Sequence, residues 1–453
     1  MCPCLILTVL EGTPAALGSP GPGETVTDPS GIAMTRTANR ASPGFRVTIA
    51  AVLVVAAAAS LAVWARGRPD PGRVFEQARA ELDAGHPARA AELLFRLERM
   101  RPPNPFDRLL RAKVADARNL PTDAVAELAR IPDEHPLAPV ARLLTGQIEV
   151  KRNRLRAAEA AFLATVALEP KSEKPRHELV YIYNLQHRQA ELDEQLHALS
   201  EIGLLQFAYV VHWGKTRNVV WNAERDCEKL AACLEADPDD RQSRLALSEG
   251  LQRLNKLPEA LKILAPLPDT DPDACARRAD LAIVRGDFAE ADRLLSVGPV
   301  DHPALALIRG RLALHRGDAR TAVRYLNIAY ENDPTDGRVL HGLETALRMA
   351  GDPAGAAKFA EAARRHDALT PLITRASVDE GAKDPAMPAR LGVACEAAGR
   401  LYEAQAWYQL AIVRDPLDRD SQQALFRTRK AIADRAARPT PVRRPSQPGG
   451  PTG

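Results

Sequence analysis

Residues 304–334 read ALALIRGRLALHRGDARTAVRYLNIAYENDP. Apolar and small residues recur three and four apart on both sides of Arg316-Gly317-Asp318, the spacing of two amphipathic helices joined by a tight turn. Gly317 tolerates the left-handed backbone that ends the first helix. Ala322 lies early in the second helix, where a small side chain lets two backbones approach. Pro334 cannot continue that helix and opens the next unit.

The same order recurs along the chain. A Gly or Asn is followed five residues later by Ala and later by Pro. The series is Gly85/Ala90/Pro102, Asn119/Ala124/Pro136, Asn153/Ala158/Pro170, Asn255/Ala260/Pro272, Gly286/Ala291/Pro303, Gly317/Ala322/Pro334 and Gly399/Ala404/Pro416. Gly351/Ala356 is an eighth, with its Pro displaced to Pro371. Ala90, Ala124 and Ala158 are evenly spaced, and the step from Ala158 to Ala260 is three times that period. The register therefore survives where the signature fades, and residues 171–238 read as two degenerate units. The step from Ala356 to Ala404 is longer than one period. The surplus, around Asp367 to Ala386 with Pro371, Gly381 and Pro385, is expected to be a loop.

This pattern resembles the tetratricopeptide repeat (TPR) family, carried by Gly310, Gly317, Ala322, Tyr325, Leu326, Ala329 and Pro334, and by Gly392, Gly399, Ala404, Tyr408, Ala411 and Pro416. The even step between the first alanines equals the period of that family. The resemblance implies an all-α fold: a right-handed α-α superhelix, a TPR solenoid of about ten helical hairpins, with a concave face for a protein or peptide partner. It places TPR-like repeats over 73–170 and 239–416 around the degenerate 171–238, a capping helix over 417–437, and a disordered Pro/Arg-rich tail over 438–453.

The amino-terminal part differs. Residues 1–45 read as a disordered tail, with Met34 a candidate true start. Within 46–66, Val47 to Ala65 is apolar except for Thr48 and Ser60. Nineteen helical residues span about 28 Å, close to the hydrocarbon thickness of a bilayer. Arg46 precedes the run, and Trp64, Arg66 and Arg68 close it as interfacial residues do. The segment reads as one transmembrane helix. The alternative is a secretory signal, with Arg36, Arg40 and Arg46 as its basic region. The expected location is the bacterial inner membrane, single-pass, with the repeats in the periplasm. Cleavage would instead leave a soluble periplasmic protein.

A formal charge of +3 over 453 residues gives no reason to expect nucleic acid as a partner. The six cysteines form no CxxC pair, so no metal or cofactor is expected. Gly214-Lys215-Thr216 lacks the earlier Gly of a phosphate loop, Tyr209 standing there. His177-Glu178 has Tyr181 where a zinc helix needs His. No catalytic residue emerges, and the chain reads as a membrane-tethered scaffold or adaptor rather than an enzyme. The alternative is an enzyme or obligate enzyme subunit with a site near 203–221. That stretch holds Phe207, Tyr209, Trp213 and Trp221, either wide core filling or an aromatic docking patch. By the resemblance, Arg311, His315, Arg338, His341 and Arg348 line the peptide groove as a basic patch, or as a charged face balanced by Asp336 and Glu344.

Overall fold

The computed structural model describes residues 70–203, 205–217 and 222–436. Residues 46–66, both tails and Trp221 lie outside them, as do Cys2 and Cys4. Among the described residues every regular element is an α-helix, and no helix is long and apolar enough to cross a membrane.

Nine hairpins share one build. They pair α1 (Pro71–Asp83) with α2 (Pro87–Met100), α3 (Pro105–Ala117) with α4 (Pro121–Ala129), α5 (Ala138–Lys151) with α6 (Leu155–Leu168), and α7 (Glu173–Leu185) with α8 (Gln189–Glu201). After α9 (Phe207–Arg217) and α10 (Ala223–Ala236) come α11 (Arg241–Arg253) with α12 (Leu257–Leu264), α13 (Pro272–Val284) with α14 (Phe288–Val297), α15 (Pro303–His315) with α16 (Ala319–Asn332), and α17 (Gly337–Met349) with α18 (Pro353–Asp367). The last pair is α21 (Met387–Ala397) with α22 (Leu401–Arg414), before α23 (Arg419–Ala436).

The turn within each hairpin explains the sequence signature. Gly85, Asn119, Asn153, Asn255, Gly286, Gly317, Gly351 and Gly399 all have positive φ, between 58° and 79°. The residue after each one donates its N–H to the carbonyl five residues back, as in His86 to Glu81 at 2.8 Å and Asp318 to Ala313 at 2.9 Å, the bond that seals a left-handed helix end. A ninth turn uses His187 at φ 54°, with Arg188 donating to Tyr183 at 2.9 Å. His187 follows Asn153 by the same step that separates Asn119 from Asn153. The signature fades there because His replaces Asn and the buried Leu192 replaces Ala.

The alanines serve close approach. All eight are buried. Facing them, a Cβ on Gly310 would stand 2.6 Å from Leu326, and one on Gly392 would stand 2.6 Å from Tyr408. A second device joins successive hairpins. Arg142, Arg278 and Arg309, on α5, α13 and α15, reach back to open carbonyls at the end of the preceding hairpin. Arg278 takes Leu264 at 2.8 Å and Leu267 at 2.5 Å; Arg309 takes Leu295 at 2.5 Å and Gly298 at 2.8 Å.

Two expectations need correction. Residues 367–386 are not a loop: α19 (Leu369–Ala376) and α20 (Asp379–Lys383) form there. Pro371 sits in the first turn of α19, where its missing N–H costs no helical bond. The described helices also exceed what ten hairpins contain: α9, α10, α19, α20 and α23 stand outside the nine pairs, α23 within the span read as a capping helix.

The array is also closed across its middle. After α7 the chain departs as α8 and α9. It returns as α10 and α11, which bond back to the hairpins it left. Arg156 of α6 pairs with Asp237 at 3.0 Å, and Gln186 after α7 donates to Ser243 at 3.1 Å. The outgoing α8–α9 wedge meets the far end of the array. Ser200 Oγ donates to Gln409 at 2.6 Å, and Gln405 donates to Glu201 at 2.6 Å. Phe207 meets the edge of Trp407 with ring centres 5.4 Å apart. One apolar core thus joins α6–α11 to α19 and α21–α23.

Candidate functional site

At the closure a single guanidinium binds several elements together. Arg217, near the end of α9, pairs with Asp193 of α8, Asp333 (3.1 Å) and Glu403 of α22 (3.3 Å), and donates to Thr335 at 2.7 Å. Burial opposes its charge, but the three carboxylates win and hold its pKa above the ordinary arginine value. Glu403 is enclosed with Arg400, the pair 1% and 2% exposed. Burial pushes the Glu403 carboxyl up against the pull of Arg400 and Arg217.

The aromatic-rich stretch belongs to this joint. Trp213 is 1% exposed and donates its indole N–H to Asp193 at 2.6 Å. Phe207 lies under the Arg414 guanidinium, 4.7 Å from ring centre to charge. Tyr209 stacks on His177 of α7 at 4.1 Å. Gly214, Lys215 and Thr216 are consecutive residues of α9, and a Cβ on Gly214 would come within 2.9 Å of Ile373.

One side of Arg217 opens into a cavity of about 430 Å³. Its wall draws on the first helices of three hairpins, α11, α13 and α17, with the end of α18. Glu249 of α11 is the hub, 2.6 Å from Arg277, 3.4 Å from Arg253 and 3.4 Å from His187. Burial alone would raise the Glu249 carboxyl, but Arg277, His187 and Arg253 hold it well below the usual carboxylate range.

Arg338 and His341 line this cavity. Arg338 pairs with Asp336 at 2.7 Å, and His341 with Asp367 at 3.1 Å. Arg311 pairs with Asp280 of the preceding hairpin, and Arg348 with Glu344. His315 faces Phe288 at 5.8 Å. The five predicted groove residues therefore follow consecutive first helices, α15 and α17, but only Arg338 and His341 reach the cavity. Sequence reasoning missed Arg217, Glu249, Arg253 and Arg277, which complete the wall. Register does not single out Arg277: the position equivalent to Arg311, six residues before the turn glycine, holds Asp280 in the preceding hairpin. Nothing local marks Arg217, whose partners Asp333 and Glu403 belong to distant hairpins.

No chemistry beyond ion pairing is evident here. Among the described residues no cluster of three His, Cys, Asp or Glu is placed to hold a metal. Cys227, Cys233, Cys275 and Cys395 are separate, buried thiols. Arg285-Gly286-Asp287 and Arg316-Gly317-Asp318 are turn elements: Asp287 caps α14 through Glu290 N–H, and Asp318 caps α16 through Thr321 N–H, each at 3.1 Å.

Residues 109–173, covering most of α3 through the start of α7, match the family model of the tetratricopeptide repeat. That segment is tetratricopeptide-like, and the hairpins outside it repeat the same turn. No match is found among curated proteins. Similar solved structures include a tetratricopeptide repeat protein from Parabacteroides merdae, 14% identical, covering 61% of this chain and 98% of that one at a TM-score of 0.29. Yeast Tom70 is 12% identical over 83% of this chain and 92% of its own, at a TM-score of 0.28. Pseudomonas aeruginosa pilF is 16% identical over 45% and 96%, at a TM-score of 0.25.

Proposed function

We propose that this chain is a non-catalytic scaffold of the bacterial envelope, held in the inner membrane by residues 46–66, with its repeats in the periplasm. It binds a protein or peptide partner along the first helices of its carboxy-terminal half. The fold itself is of a kind suited to protein–protein interaction. The observation that carries the reading is the charged wall on α11, α13 and α17 around one cavity, with Arg253, Arg277 and Arg338 set among Glu249, Asp336 and Asp367. Such a wall offers a partner both signs of charge in fixed positions. It favours a mixed-charge segment, for which electrostatics set orientation more than affinity.

The test places a photo-crosslinking residue at His341, half-exposed in the cavity wall, and at Arg293, exposed on α14 away from it. The full chain in native membranes should give a discrete protein adduct from position 341 and none from 293. The added charge reversal Arg338→Glu should remove the adduct. Adducts from 293 alone would contradict the groove. Extraction with alkaline carbonate tests the tether: the intact chain should stay with the membrane pellet, and release into the supernatant would contradict an anchor.

A further inference from the structure

A second cavity, of about 490 Å³, lies on the other side of Arg217. Its walls come from the α8–α9 wedge, the α16–α17 loop, the start of α22 and the end of α23. It exists only because the wedge meets the last hairpin. It is therefore distinct from a groove on the first helices, although Arg217 and Asp333 wall both spaces.

Arg400 lines this cavity with its side chain 1% exposed. Its Nε and Nη2 donate to Glu403 at 2.7 Å and 2.5 Å. Its Nη1 is buried and has no partner in the protein. Buried guanidinium donors are rarely left unmet, because leaving a charged group's hydrogen bond unmade is expensive. Three of the four carboxylates in the wall are already engaged: Asp193 by Trp213 and Arg217, Asp333 by Arg217 and Thr335, Glu403 by Arg400 and Arg217; the fourth, Glu194, is exposed at the rim. The wall thus lacks an acceptor, not a charge. Four carboxylates, the exposed Glu194 among them, face three guanidiniums, Arg217, Arg400 and the exposed Arg435, so its field does not favour a full anion. The remaining surface sets Tyr402, tilted against His197 at 4.3 Å, with Leu401 and Ile432 beside the polar Gln189 and Asn332.

We propose that this cavity binds a short uncharged peptide segment of a protein partner. One backbone carbonyl accepts from Arg400 Nη1, and an apolar side chain lies against Trp213, Tyr402 and Ile432. The volume suits a few residues, within the range of ordinary ligand pockets. The proposal rests on the reading of the chain as a protein-binding scaffold, but not on its groove.

The test uses the full chain with 15N-labelled tryptophan and follows the Trp213 indole signal, assigned by its loss in Trp213→Phe. The probe is acetyl-Ala-Leu-Ala-amide, compared with the same tripeptide ending in a free carboxylate. The capped probe should shift the Trp213 signal saturably, with a Kd below about 1 mM. Arg400→Met should weaken binding by about tenfold or more, as loss of a hydrogen bond to a charged donor does. Ile432→Trp, which leaves the Arg400–Glu403 pair intact and fills the cavity, should abolish the shift even if Arg400→Met fails to fold. Arg338→Glu, in the groove, should leave it unchanged. No saturable shift from the capped probe at millimolar concentration overturns the proposal, Arg400 then being met by water alone. A free carboxylate binding about tenfold tighter also overturns it, since the site would then select anions. Loss of the position-341 adduct with the Trp213 shift retained would reject the groove and leave this site standing.

Discussion

Replacing Arg217 with Met tests the closure of the array at its single most connected residue. The substitution keeps length and apolar bulk but removes a charge held by Asp193, Asp333 and Glu403. Each hydrogen bond to a charged group is worth about 1.5–3 kcal/mol. Three such bonds overstate the loss, because removing Arg217 also removes its own desolvation cost. The Asp333 side chain is 34% exposed, so that leg is discounted for solvent screening. Glu403 has no such relief, and breaking one side of a buried pair costs about 3–5 kcal/mol. We therefore expect Arg217→Met to destabilise the joint by about 3–5 kcal/mol. Repeat arrays can unfold in stages, so the probe must sit at the joint. Trp213 and Trp407 both do. Urea unfolding followed by tryptophan fluorescence should shift to lower denaturant more than the far-ultraviolet circular dichroism does. Adding Asp333→Asn should cost less in the Arg217→Met background than in the native chain, since the pair is already broken. A fluorescence shift worth less than about 1 kcal/mol, or strict additivity of the two substitutions, would refute the reasoning.

The other devices carry their own expectations. Arg278→Ala frees the carbonyls of Leu264 and Leu267 and should lower stability by about 1.5–3 kcal/mol, whereas Arg293→Ala, exposed on α14, should leave the urea curve in place. Gly317 has φ 77° and nothing within 4 Å of an added Cβ, so Gly317→Ala should cost about 1–2 kcal/mol through backbone strain alone; an unchanged melting curve would remove the left-handed turn from the account. Glu249 has a lowered folded pKa, so its contribution is present above the unfolded value of about 4.3 and lost as pH falls through the folded one. Glu249→Gln should therefore be clearly less stable than the native chain at pH 7, with the gap closing only below about pH 4. Burial lowers His177 and His197 against the pull of Glu173 and Glu201, so the unfolded chain takes up these protons first. Stability should decline as pH falls below about 6.5, and His197→Phe should flatten that decline.

What could be read in the sequence follows from the range of the interactions. The left-handed turn is local, and Gly and Asn announce it; all eight such positions carry it. His187 has the same backbone without the same advertisement, so its hairpin was legible only through the regular register of its neighbours. The α19–α20 segment read as a loop because Pro371, Gly381 and Pro385 break helices. Yet Pro371 falls in a first turn, and Gly381 packs so tightly on the Arg375 carbonyl that a Cβ would lie 1.9 Å from it. The wedge left no periodic trace. Ser200 and Gln409 meet from the middle and the far end of the array, a pairing that repeat spacing does not encode. The aromatic cluster at 203–221 was visible as an anomaly, and Trp213 and Phe207 stand at that closure. Of the groove, sequence found Arg338 and His341 but not the Glu249 hub, because a half-buried carboxylate among arginines looks like any other helix residue until the helices are stacked.

The closure itself is the claim on which both cavities depend, and a cysteine pair at Ser200 and Gln409 tests it most directly. The two side chains touch, with Oγ and Oε1 2.6 Å apart, while the native described cysteines are buried. Under mild oxidation the account predicts that Ser200→Cys/Gln409→Cys forms an intramolecular disulfide in the folded monomer, seen as a linked peptide pair by mass spectrometry, and that neither single variant does. Two free thiols that both react freely with maleimide in the folded protein would show an open array and contradict it.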